Sequence, residues 1–62
     1  MYHVYWLVQN RWEKLHSEYD FIVTRNWALK HISYTGSSVQ KVEIREYDEK
    51  EVAEVIYNNI GQ

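Results

Sequence analysis

Tyr2, His3, Val4, Tyr5, Trp6, Leu7 and Val8 run on without a charge, so a strand built from them is apolar on both faces. A strand that covers one side of a core alternates apolar with polar positions. The pattern therefore predicts a central strand over 2–8 whose far face also needs covering, by more of the chain, by a twin copy or by a partner. Gln9 to Arg11 supply a turn, with Asn10 the residue best suited to positive φ, and a hairpin follows. With Asn10 and Arg11 as a two-residue loop, Gln9 faces Trp12, Trp6 faces Leu15, Tyr5 faces His16 and His3 faces Glu18. That register assigns Tyr2, Val4, Trp6, Val8, Leu15 and Tyr19 to the core. It sets His3, Tyr5, Leu7, Trp12, Lys14, His16 and Glu18 on the other surface.

Residues 20–34 contain no Gly or Pro, and the apolar spacing predicts a helix from near Thr24 to Tyr34, with Gly36 in the C′ role. Ala28, Leu29 and Ile32 share the side expected to meet the sheet, while Val23, Trp27, His31 and Tyr34 gather on another. Trp27 is thereby placed at the flank of the core, and His31 is expected to be a half-buried packing residue. After Ser37 and Ser38, Val42 and Ile44 alternate with Lys41, Glu43 and Arg45, the pattern of a strand with one wet face. Asp48 stands as an N-cap with Glu51 three residues on, and Val52, Val55, Ile56 and Ile60 form an apolar stripe; together they predict a final helix ended by Gly61. The order is ββαβα. The expected fold is α+β, a two-layer sandwich of a three-stranded sheet with two helices on one face, in a single domain over 1–62.

A chain of 62 residues sits near the lower limit of what folds without staples. The absence of cysteine removes disulfides, thiolate zinc sites and thiol nucleophiles. Aromatic content is 16%, with six Tyr and three Trp but one Phe; Tyr and Trp suit half-buried positions and interfaces better than a dry interior. The net charge of -2 argues against binding driven by phosphate neutralisation. The first apolar run lacks a basic leader and is too short to span a bilayer, so the expectation is a cytoplasmic protein without a membrane partner.

Candidate chemistry is sparse. His3, His16 and Glu18 share a surface in the expected register and could hold a transition metal, but nothing supports such a site from behind; no metal and no cofactor are expected. No nucleophile, base and orienter recur at a telling spacing, and no glycine-rich cradle is present, so the residues point away from an enzyme. The acidic run Glu43, Glu46, Asp48, Glu49, Glu51 and Glu54 reads first as the solvated side of the final helix.

The remaining feature is the far face of the hairpin. Tyr5, Leu7, Arg11, Trp12, Lys14 and His16 gather there, with Trp27 at the flank, and Tyr, Trp and Arg dominate interface energetics. The expected function is a small protein-interaction module of inhibitor or adaptor type, homodimeric through this aromatic face. The alternative is a single-stranded nucleic-acid binder that stacks bases on the same rings.

Overall fold

The computed structural model describes residues 1–32 and 38–60. Its elements are β1 (Tyr2–Val8), β2 (Arg11–Glu18), α1 (Phe21–His31), β3 (Val39–Glu46) and β4 (Glu51–Asn58). They form one four-stranded antiparallel sheet in the order β2-β1-β3-β4, with α1 on one face. The expected three-stranded sheet with two helices is thus corrected, over the described residues, to four strands and one helix. Strand β1 is central, as its unbroken apolar run implied.

The final segment is a strand because of its irregularity. β4 opposes β3 with register breaks that leave Ala53 and Ile56 as extra residues. A bulge inserts one residue without turning the strand over. Val52 and Val55, three apart, therefore both fall on one face opposite Arg45 and Glu43, while Glu54 and Tyr57 fall on the other opposite Ile44 and Val42. Three-residue spacing of this kind imitates a helical stripe. The β-branched Val52, Val55 and Ile56 favour the strand, and positive φ at Tyr47 (54°) and Glu49 (68°) cannot start a helix. Asp48 caps no helix; its Oδ1 accepts from the Lys50 N–H within the turn at 3.2 Å.

The first hairpin also differs from expectation. Gln9 (φ 53°) and Asn10 (φ 61°) are the loop residues, a turn with both central residues left-handed that matches the twist of the strands. Asn10 donates its N–H to Gln40 Oε1 at 2.8 Å, and Gln40 Nε2 donates to Asn10 Oδ1 at 3.1 Å, which clamps the loop to β3. Val8 consequently faces Arg11, Leu7 faces Trp12 and Tyr5 faces Lys14; after a bulge at Leu15, Val4 faces His16 and Tyr2 faces Glu18. His16 and Glu18 are thereby moved from the expected far face to the helix face.

Helix α1 begins at Phe21, three residues before the expected Thr24, because Asp20 is the N-cap: its side chain accepts from the Val23 N–H at 3.1 Å, and Thr24 Oγ1 donates back to the Asp20 carbonyl at 2.7 Å. The side facing the sheet carries Thr24 and Ala28, continued by Ile32, all buried, whereas Ile22, Val23 and Leu29 face water. Leu29 was expected inward, but Thr24, Ala28 and Ile32 at four-residue spacing take that stripe. The expected end of the helix at Tyr34 and Gly36, and the stop at Gly61, lie outside the described residues. The core joins Val4, Ala28, Ile32, Val39 and Val42, edged by Trp6, Val8, Leu15, Trp27, Ile56 and Tyr57. Full burial of side chains such as Val4, Val42 and Ile44 stabilises the fold by about 1.5–3 kcal/mol each.

Candidate functional site

The sheet face away from the helix is built from alternate residues of four strands. Register sets Trp12, Leu7, Lys41 and Asn58 in one row across it, Lys14, Tyr5, Glu43 and Val55 in the next, and Ser17, His3, Arg45 and Val52 in the third. Among the described residues no element covers this face, yet it is not bare. His3, Leu7 and Glu43 are buried within it, Glu43 only 3% exposed, beneath longer neighbours.

Glu43 organises the centre. Arg45 Nε donates to Glu43 Oε1 at 2.7 Å, and Lys41 Nζ lies 3.5 Å from Glu43 Oε2. Held there, the Arg45 guanidinium lies 4.2 Å from the Tyr5 ring centre and 4.6 Å from that of Trp12, a cation set against two aromatic faces. Arg45 Nη1 also donates to the Glu49 carbonyl at 3.3 Å, which draws the turn between β3 and β4 toward the face. Trp12 keeps 40% of its surface exposed.

Glu49 is the second organiser. Its carboxylate accepts from Tyr5 Oη at 2.6 Å and from Lys14 Nζ, and lies 3.6 Å from His3 Nδ1. The Lys14 and Tyr5 hydrogen bonds hold the Glu49 carboxyl below the usual carboxylate range. Lys14 is raised in turn, chiefly by the Glu49 hydrogen bond. Tyr5 is raised by desolvation first and by its hydrogen bond to Glu49 second. His3 Nδ1 also lies 2.7 Å from Ser17 Oγ. Among the described residues no side-chain polar atom is buried without a partner. The face is a satisfied, interlocked layer of rings and charges.

No protein-family model, no curated protein and no solved structure matches this chain. Its function has therefore to be read from its own residues.

Of the residues expected at the site, Tyr5, Leu7, Trp12 and Lys14 share this face, with Leu7 buried in its floor. Arg11 is at the hairpin end in line with the helix-side residues, its Nη2 3.9 Å from Glu13. His16 is on the helix face, stacked on Trp27 with ring centres 4.2 Å apart and planes within 1°. Trp27 seals the edge of the core between α1 and β2, and carries His31 stacked on it at 4.9 Å; His31 is exposed rather than half-buried. His3 and His16, expected side by side, lie on opposite faces. Among the described residues no group of three His, Cys, Asp or Glu side chains could hold a metal ion, and no cavity opens. No helix there is long and apolar enough to cross a membrane.

Arg45, Glu43 and Glu49 were missed as site residues. The usable signal was the alternation Lys41, Glu43, Arg45, which marks one strand face as charged and places it beside the bare face of β1 once the two strands pair. Tyr19, expected in the core, is 81% exposed: it follows the last residue of β2, and Phe21 takes the packing place instead, edge-on to Tyr2 at 5.3 Å.

Proposed function

We propose that this chain is a small non-enzymatic protein-interaction module, of inhibitor or adaptor type, that binds through the open face of its sheet. The observation that supports it is Arg45 lying against both Tyr5 and Trp12, with Trp12 protruding from an otherwise locked layer. Tyr, Trp and Arg are the residues that most often carry interface energy, and side chains already fixed by Glu43 and Glu49 lose little freedom on binding. Val52 and Val55, exposed on the same face, add apolar area beside the anchor. A second copy of the chain is one such partner, which makes a homodimer the simplest form of the proposal.

The test is solution mass by light scattering, together with affinity capture, on the parent chain and on Trp12→Ala and Arg45→Met variants. The proposal expects either a dimer that becomes monomeric or a captured partner that is lost. If mass and captured proteins are the same for all three chains, this face is not the binding surface.

The second reading, single-stranded nucleic acid, is favoured by one observation: Lys14, Lys41 and Arg45 share the face with both rings. Glu43 and Glu49 offset them there, so the protein reading stands first. Oligonucleotide affinity that falls by orders of magnitude between low and moderate salt would reverse that order.

A further inference from the structure

The charges of the open face do not balance. Its rows hold Lys14, Lys41 and Arg45 against Glu43, with Glu49 drawn over them from the turn, so three cations meet two carboxylates while His3 is neutral at pH 7. The other carboxylates of the strands, Glu13, Glu18, Glu46, Glu51 and Glu54, fall on the helix side, where their register partners are Trp6, Tyr2, Ile44 or one another. The turn after β3 adds Asp48 and Lys50, one of each sign, and the Met1 ammonium at the end of β1 is a further cation. A chain of net charge -2 thus carries a local positive excess on this face.

The excess is centred on Glu43. Lys14 has its own carboxylate in Glu49. Glu43 has to serve two cations, Arg45 Nε at 2.7 Å and Lys41 Nζ at 3.5 Å, and sharing one carboxylate keeps the two close together. Neither is saturated. The Lys41 contact is longer than an N–H···O hydrogen bond, and among the described residues Arg45 donates through Nε and Nη1, which leaves Nη2 free. Both keep contact with water, at 24% of the Lys41 side chain and 18% of the Arg45 side chain. Trp12 completes the group: it shares a row with Lys41, across the buried Leu7, and its ring centre lies 4.6 Å from the Arg45 guanidinium.

We infer that the open face binds an acidic segment of another protein, one carboxylate of which is taken by Lys41 and Arg45 while a neighbouring apolar side chain lies on Trp12. The inference rests on the open-face reading and names its partner. A carboxylate is the group that a guanidinium with a free nitrogen and a half-paired ammonium receive together, and potentials of opposite sign across an interface set partner choice. A basic segment would be repelled. A second copy would bring the same excess to the interface and leave it uncompensated. A nucleic-acid strand would set successive phosphates against Glu43 and Glu49 as well, whereas a single excess charge suits a single carboxylate.

The experiment titrates the whole chain at low salt with nonapeptides that carry Glu-Leu-Glu, Gln-Leu-Gln or Lys-Leu-Lys at the centre of a Gly-Ser frame. Binding is read from the Trp12 indole N–H resonance. The acidic peptide should bind about 3- to 30-fold more tightly than the neutral one, the worth of one carboxylate on two half-exposed cations, and the basic one more weakly than either. Lys41→Gln should weaken the acidic peptide about 2- to 5-fold and spare the neutral one. Lys30→Gln, the same charge change on the exposed side of α1, should alter neither, and a thermal melt of each variant confirms that the fold persists. The inference is overturned if the acidic peptide has no advantage, if Lys41→Gln and Lys30→Gln act alike, or if octathymidylate binds more tightly than any peptide. A dimer dissociated by Trp12→Ala, or a captured partner that Trp12→Ala loses and Lys41→Gln retains, would overturn it and leave the open-face reading in place. Acidic-peptide affinity that Trp12→Ala leaves unchanged would sink both.

Discussion

Replacing Glu43 with Gln removes one charge and almost no volume, and the structure gives the cost. Glu43 is 3% exposed and faces Arg45 Nε at 2.7 Å and Lys41 Nζ at 3.5 Å. At an effective dielectric of about 20 these attractions are worth roughly 6 and 5 kcal/mol before desolvation. Removing one partner of a buried pair typically costs about 3–5 kcal/mol, because the other charge stays behind uncompensated. Gln keeps an acceptor for Arg45, and both cations retain some contact with water, so the expected loss is about 2–3 kcal/mol. A domain of this size has total stability of only roughly 3–9 kcal/mol, and each kcal/mol moves Tm by about 4–8 °C. Glu43→Gln should therefore melt about 10–20 °C below the parent by circular dichroism, with a lower urea midpoint at unchanged slope. The double change Glu43→Gln with Arg45→Met should cost less than the sum of the single ones. A Tm within about 3 °C of the parent would refute the idea that Glu43 organises the face.

Glu49 should set both pH limbs of stability. Its lowered carboxyl contributes stability that is present above the ordinary carboxylate pKa and lost as pH falls through the folded value; raised Lys14 and Tyr5 contribute stability that is present below their ordinary values and lost as pH rises through the folded ones. Glu49→Gln should lower Tm at neutral pH and flatten the profile at both extremes, and an unchanged Tm-against-pH curve would contradict this. Gln9→Gly should raise stability by up to about 1 kcal/mol, since Gly accepts the positive φ that Gln9 adopts; a urea midpoint at or below that of the parent would count against the turn assignment. Trp27→Ala should cost about 2–3 kcal/mol by opening the core edge between α1 and β2, and a melt near the parent's would mean that Trp27 seals nothing.

The sequence pattern reveals β1, its central place, the hairpin and the presence of α1, because each rests on a long regular signal or on tight local chemistry. It misleads at β4, where two bulges turn a period of two into apparent steps of three and four. Asp48 and Glu51 reinforce the error, since a capping box and a turn before a strand use the same residue types. The one-residue slip at Gln9–Asn10 has a long-range cause. The clamp on Asn10 comes from Gln40, 30 residues away, and no local turn preference contains it.

That slip also explains how much of the candidate site was legible. A shift of one residue in a hairpin carries a side chain to the opposite face, but the register moved by two before Leu15 and by one after it. Trp12 and Lys14 therefore kept the face expected of them, while His16 and Glu18 crossed to the helix side. The bulge at Leu15 divides the aromatic chemistry into two structures: Trp12 is left beside Tyr5 and Arg45 on the open face, and His16 is sent beneath Trp27 at the core edge. The open face owes its polarity to β3, whose charged residues the sequence shows only as the wet side of an ordinary strand. Pairing that wet side with the apolar far side of β1 answers the covering problem posed by the first eight residues. Arg45, Lys41 and Glu49 shield the floor of Leu7, His3 and Glu43, and Trp12 is the ring of this face left most open to water.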